Sequence, residues 1–238
     1  MGGMASTCYT GGVSTRPEPS LVKICGVSTP EALDAALDAG ADLIGLVRYA
    51  KSPRHVSLEQ GRVLSARAKG RALRVALLVD PDDGELAATI EALDPDVLQL
   101  HGSETPERVE EIRARFGRPV MKAIGVAEAA DLARVSAYGA AERILLDAKP
   151  PRSANALPGG NGVAFDWSLL AGVDPGVSFM LSGGLDPDNV AQAIALTGAR
   201  AVDVSSGVER RPGDKDPARI EAFVKAARAA FAGSGNKD

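Results

Sequence analysis

A chain of 238 residues with a net charge of -4 and a pI near 5.4 is long enough to bury a substantial core and offers no broad basic face for nucleic acid. Aromatic residues make up 4%, too few for base-stacking platforms, and no apolar run approaches the ~20 residues that span a bilayer. Two cysteines, Cys8 and Cys25, build no disulfide framework and the two histidines lack metal-ligand spacing, so a reducing cytoplasmic setting without a metal is expected.

Residues 1–20 are rich in Gly, Ser, Thr and Pro and contain no apolar core, which predicts a disordered extension rather than a signal peptide. One folded domain is expected over 21–232, followed by a flexible tail over 233–238. Leu21-Val22-Lys23-Ile24-Cys25-Gly26 reads as a short strand ending at Cys25. Thr29 as an N-cap, Pro30 at the first helical position and Glu31 against the dipole start a helix, and Gly40 ends it. Leu43 to Val47 is then a second buried strand, so the chain opens with the strand–helix–strand crossover of a parallel sheet.

The pattern continues. Ser57 to Gln60 has capping-box spacing and begins a helix ending near Gly70, and Leu73 to Val79 is a strand closed by Asp80-Pro81. A helix striped by Leu86, Ile90 and Leu93 leads to a strand at Val97 to Leu100. Thr105-Pro106-Glu107 starts a helix ended by Gly117, before a strand at Val120 to Ile124 and a helix at Ala127 to Ser136. Strands at Arg143 to Leu146, Val177 to Leu181 and Ala201 to Val204 follow. Asp186-Pro187 caps a helix running to about Leu196, and Asp216-Pro217 caps the last one. Breakers such as Ala39-Gly40-Ala41-Asp42 and Thr197-Gly198-Ala199-Arg200 recur before the strands, as in a β/α repeat. Eight strands and about eight helices match a closed (β/α)₈ TIM barrel of typically ~250 residues. An open doubly wound sheet is the competitor, but its Gly-x-Gly-x-x-Gly fingerprint after the first strand is absent.

In a barrel the reacting groups come from the carboxyl ends of the strands. Leu181-Ser182-Gly183-Gly184-Leu185 and Asp203-Val204-Ser205-Ser206-Gly207-Val208, after strands seven and eight, have the glycines and exposed N–H groups of a phosphate grip; tight turns alone are the bland alternative. Asp147 directly follows the apolar run of strand six, where an unpaired carboxylate is costly. The long Pro150 to Val163 segment after it reads as a lid. Lys51-Ser52-Pro53-Arg54 is either a solvated face or a carboxylate grip, and His101 is either a base or a positioning group. Cys25 is either packing or chemistry.

Lys23-Ile24-Cys25-Gly26, Lys51-Ser52-Pro53-Arg54, Gln99-Leu100-His101-Gly102, Leu146-Asp147-Ala148-Lys149, Phe165-Asp166-Trp167-Ser168, Leu181 to Leu185 and Asp203 to Glu209, taken together and in order, resemble phosphoribosylanthranilate isomerase of tryptophan biosynthesis. The resemblance covers about 21–231 and no single motif carries it. It implies a (β/α)₈ enzyme catalysing an Amadori rearrangement of a phosphorylated aminoaldose, with no cofactor, no membrane or nucleic-acid partner, and a monomeric or homodimeric state. By that resemblance Asp147 is the acid and Cys25 the base, and Arg54 holds the anthranilate carboxylate. Gly183, Gly184, Ser206 and Gly207 hold the phosphate, and Gln99, His101 and Asp203 complete the substrate site. Arg48-Tyr49-Ala50 departs from the family, which usually has an aromatic residue and, two residues on, a proline there. A barrel that also isomerises a histidine-pathway aminoaldose is an alternative, though such barrels generally use two aspartates where Cys25 and Asp147 stand. A catalytically silent phosphate-binding barrel is another. Strand alternation adds one expectation: Lys23 shares the face of Cys25, Asp203 shares that of Ser205, and closure of strand eight onto strand one pairs Lys23 with Asp203 inside the barrel.

Overall fold

The short apolar runs pair in sequence order and close on themselves. β1 (Leu21–Cys25), β2 (Leu43–Val47), β3 (Leu73–Leu78), β4 (Val97–Leu100), β5 (Val120–Val126), β6 (Arg143–Ala148), β7 (Phe179–Leu181) and β8 (Ala201–Val204) form a parallel ring in which β8 returns to β1. The computed structural model describes residues 19–149, 159, 166–172 and 178–234. The expected N-terminal extension (1–18 of it), the end of the tail (235–238) and the expected lid, Gly159 excepted, lie outside the described residues.

Helices α1 (Pro30–Asp38), α2 (Leu58–Ala68), α3 (Asp83–Leu93) and α4 (Pro106–Phe116) begin as their caps require. Thr29, Ser57, Asp82 and Thr105 accept hydrogen bonds from the backbone N–H of Ala32, Gln60, Glu85 and Arg108, each contributing about 1 kcal/mol. α5 (Ala129–Leu132), α6 (Val190–Thr197) and α7 (Pro217–Ser234) complete the outer layer.

Side-chain alternation sorts the strands into two cores. Val22, Ile24, Ile44, Leu46, Leu98 and Leu100 face outward and join Leu33, Leu86, Ile112 and Phe223 of the helices. Leu43, Val75, Met121, Ala123, Leu145, Met180 and Ala201 face inward and plug the barrel. Above the plug a smaller group, Cys25, Val47 and Leu77, begins the site.

Three elements differ from expectation. The helix expected over Ala127 to Ser136 is the single turn α5 followed by a 3-10 turn at Val135–Tyr138. The Asp131 carboxylate accepts from the backbone of Ala127 and Glu128 and from Lys149 Nζ, which ties this turn to the end of β6. α6 starts at Val190 rather than at Asp186-Pro187, because Asp186 and Asn189 each accept the other's backbone N–H and form a separate turn first. A two-stranded hairpin, β9 (Glu209–Arg211) and β10 (Asp214–Lys215), stands where no element was anticipated. Its turn needs Gly213, which has φ +84° and packs so closely that a Cβ would lie 2.5 Å from the Pro53 carbonyl.

Candidate active site

The cavity at the carboxyl ends of the strands brings together Cys25, Arg54, His101, Asp147, Gly183, Gly184, Asp203 and Ser206. Each arrives by strand alternation or by the loop that continues its strand. Cys25 is 4% exposed and stands in register with Gly45 of β2, where a Cβ would come 2.9 Å from its sulfur and 3.1 Å from its Cα. Glycine at 45 is therefore what makes room for the thiol.

One layer below, Lys23 is fully buried and its Nζ donates to Asp203 Oδ1 at 2.8 Å, the pairing anticipated from the strand pattern. Burial pulls the Lys23 ammonium down, but Asp203 and Cys25 outweigh it and hold the net value above that of an ordinary lysine. For Cys25 burial dominates and pushes the thiol up; Lys23 and Lys215 oppose that shift, while Asp203 adds to it. The resting group is a protonated thiol with an ammonium beneath it.

Asp147, at the end of β6, is 5% exposed. Its Oδ1 accepts from the backbone N–H of Ala148 at 2.9 Å, and its Oδ2 lies 3.2 Å from His101 Nε2. His101 Nδ1 in turn lies 3.0 Å from Gln99 Nε2, and Gln99 itself is fully buried. Between β4 and β6, strand β5 turns Met121, Ala123 and Gly125 inward, with the small Ala123 and Gly125 at its carboxyl end, so the imidazole can reach the carboxyl group. Gly159 closes over the pair: a Cβ there would be 2.8 Å from both Asp147 Oδ2 and the imidazole.

Arg54 is 5% exposed, and its Nε and Nη2 donate to Glu209 Oε1 and Oε2 at 2.7 and 2.8 Å. Lys215 Nζ donates to the same Oε1 at 2.7 Å and to the Ser205 carbonyl at 2.9 Å. Burial pushes the Glu209 carboxyl up, yet its bonds to Arg54 and Lys215 prevail and leave it below the usual range. Burial likewise pulls the Lys215 ammonium down, and Glu209 offsets only part of that. Glu209 thus fixes the plane of the Arg54 fork and ties it to the loop after β8.

The glycines behave as a close-approach surface. Gly183 and Gly184 have φ of +84° and +68°, and a Cβ on Gly183 would strike the Ala148 backbone nitrogen at 2.5 Å. Gly207 has another part: its Cα packs on the Leu185 carbonyl, where a Cβ would sit at 1.9 Å, and its own carbonyl accepts from Arg219. Of the expected phosphate group, Gly183, Gly184 and Ser206 line the cavity and Gly207 shapes the loop behind it. Arg48 points away from the cavity, toward the Val56 carbonyl and His55, whereas Tyr49 lines the wall beside Val47, Leu77 and Val79.

Two buried groups escaped the sequence pattern. Lys215 sits in a polar hairpin that reads as surface. Lys122 faces outward from β5, 2% exposed, and its Nζ donates to Glu104 and the Gly102 carbonyl, both at 2.8 Å. Glu104 then accepts from the backbone of Gly102 and Asp80 and so fixes the loops after β3 and β4. Only the cost of an unpaired buried charge could have flagged either lysine. Among the described residues no cluster of His, Cys, Asp and Glu could hold a metal ion, and no helix is long and apolar enough to cross a membrane.

A family model for N-(5'phosphoribosyl)anthranilate (PRA) isomerase matches residues 22–226. The chain belongs to this isomerase family. The N-(5'-phosphoribosyl)anthranilate isomerase of Azorhizobium caulinodans is 61% identical over 214 residues, covering 90% of this chain and 93% of the relative. Its counterpart in Rhizobium meliloti is 55% identical over 212 residues, covering 89% and 98%. The phosphoribosyl anthranilate isomerase of Thermotoga maritima superposes with a TM-score of 0.80 at 36% identity over 88% of this chain and 99% of that one. Another family structure, in complex with reduced 1-(o-carboxyphenylamino)-1-deoxyribulose 5-phosphate, gives a TM-score of 0.77 at 35% identity, with 88% and 99% covered. The isomerase fold and the isomerase sequence therefore coincide over nearly the whole barrel.

Proposed function

We propose that the protein isomerises N-(5-phosphoribosyl)anthranilate to 1-(2-carboxyphenylamino)-1-deoxyribulose 5-phosphate in tryptophan biosynthesis, with Asp147 as the acid and Cys25 as the base. The observation that supports this reading is that the two groups, from β6 and β1, three steps apart around the barrel, face one cavity. That cavity also carries a glycine surface suited to phosphate and an arginine suited to a carboxylate.

The chemistry follows from what each group can move. Asp147 gives its proton to the furanose oxygen; the C1–O bond breaks as the anilino nitrogen's lone pair forms the C=N bond. Cys25, once it has lost its own proton to solvent and stands as the thiolate over the Lys23 ammonium, then removes the proton from C2, and that electron pair forms the C1=C2 bond while the iminium nitrogen regains its lone pair. The enolamine becomes the ketone when its hydroxyl loses a proton and C1 gains one. The substrate nitrogen is the electron sink, so no organic cofactor is required.

Arg54, steadied by Glu209, is assigned to the anthranilate carboxylate, and Gly183, Gly184 and Ser206 to the phosphate, with Gly207 shaping that loop. Asp203 and His101 border the sugar's space; Gln99 reaches it through His101. The protein is a monomer or a homodimer, and sedimentation decides between the two. A reducing cytoplasm suits a base that must stay out of disulfides.

The test is loss of anthranilate-type fluorescence on mixing with freshly formed phosphoribosylanthranilate. Cys25→Ala and Asp147→Asn should each lower kcat by about 10²- to 10⁴-fold, with Glu142→Gln unaffected. Well-folded protein with no turnover would return the silent phosphate-binding barrel to favour.

A further inference from the structure

We propose that Gln99 is a positioning residue that keeps His101 neutral, with its one ring proton on Nε2 and aimed at Asp147. This rests on the reading of Asp147 as the acid. The amide nitrogen of Gln99 lies 3.0 Å from His101 Nδ1 and can only donate, so Nδ1 must present a lone pair. The ring proton then belongs on Nε2, 3.2 Å from Asp147 Oδ2. Gln99 is fully buried, and among the described residues its Oε1 has no hydrogen-bond partner, so the amide makes its side-chain contact through Nε2.

The consequence concerns where the acid's proton resides. An imidazolium would set N–H against N–H at Nδ1, so the amide as it stands favours the neutral ring. That matters because a cationic ring 3.2 Å from the carboxyl group would hold Asp147 as a carboxylate and disarm it before the substrate arrives. A neutral Nε2–H does not remove the proton. When the proton passes to the ring oxygen, the carboxylate left behind is met by His101 Nε2–H at Oδ2 and Ala148 N–H at Oδ1. Gln99 touches no reacting atom in this scheme; it acts through His101.

The chain has two histidines, so long-range ¹H–¹⁵N spectra of the imidazoles are simple to assign with a His55→Gln variant. At pH 7 and without substrate, His101 should show a protonated Nε2 and an unprotonated Nδ1. Gln99→Glu places an accepting carboxylate at Nδ1; His101 should then be doubly protonated and kcat should fall on the order of a hundredfold, with KM within about twofold. Gln99→Met carries neither donor nor charge; the ring proton should then divide between Nε2 and Nδ1, and kcat should fall by about tenfold with KM within about twofold. A proton on Nδ1 in the parent enzyme overturns the proposal even if neither variant folds. So does a Gln99→Glu enzyme with a cationic His101 and near-normal turnover, or a folded Gln99→Met enzyme that keeps the parent's ring tautomer and turnover. The spectra are read on the resting protein. Full activity of Asp147→Asn would therefore defeat the acid assignment while leaving the ring-proton result standing.

Discussion

Replacing Lys23 by methionine isolates the buried ion pair beneath the thiol. The side chain keeps its length and apolar contacts but loses its ammonium. Asp203, 4% exposed, then has the Ser182 hydroxyl at 3.3 Å as its remaining side-chain donor. Stranding one member of a buried pair costs about 3–5 kcal/mol. At about 2–4 °C per kcal/mol for a domain of this size, the melting temperature should fall by roughly 6–20 °C. Replacing Asp203 by leucine as well removes both charges and leaves only Ser182 without its acceptor, a cost of about 1 kcal/mol. The double variant should recover at least half of the loss. pH supplies a second check. The folded value of Lys23 lies above the unfolded one, so its stabilisation is complete below pH ~10.4 and is lost as pH rises through the higher folded value. The difference in unfolding free energy between parent and Lys23→Met, from urea titrations, should be flat from pH 7 to 9 and shrink only above about pH 10.4. A single variant melting within about 2 °C of the parent, or a double variant no better than the single, would refute the reasoning.

Gly45→Ala should push the Cys25 sulfur from its place and lower kcat by about tenfold or more with little change in KM; unchanged kcat would mean that β2 yields instead. Because burial raises the Cys25 thiol, its iodoacetamide labelling rate in a Cys8→Ser background should keep climbing above pH ~8.5 and be slowed by bound product, and a rate already level at pH 7 would exclude a buried protonated thiol. Glu209→Gln weakens the clamp on Arg54 and should raise KM by about tenfold while changing kcat less, and equal falls in kcat and kcat/KM would place Arg54 in the chemistry instead.

The barrel was legible because its determinants are local. Thr29, Ser57 and Thr105 announce their helices by capping chemistry, and eight apolar runs leave few ways to arrange a parallel sheet. Even the Lys23–Asp203 contact could be read, since alternation sets the face and closure sets the neighbour. Asp186-Pro187 looked like a cap because its chemistry is that of a cap; Asn189 competes for it, and no helical periodicity reports such competition. Lys215 and Glu209 were hidden for a different reason. Their burial depends on the hairpin folding back over Arg54, a contact between segments 155 positions apart. The departure at Arg48 bore on the pocket wall, yet alternation turns Arg48 outward and leaves Tyr49 as the aromatic surface.

The ionic bolt of Lys122 and Glu104 separates two jobs that a helix usually performs together. In a repeat of strands and helices, the position of a loop after a strand is commonly inherited from the packing of the next helix. Here Glu104 holds the backbone of Gly102 and Asp80 before α4 has begun, and Lys122 anchors it from the neighbouring strand. The stretch carrying His101 is therefore referenced to the barrel wall. Substitutions along α4 can accumulate, or the helix be exchanged for one of another sequence, without moving the imidazole, provided that these two side chains remain. The outer layer is left to evolve as scaffolding while the inner one keeps its alignment.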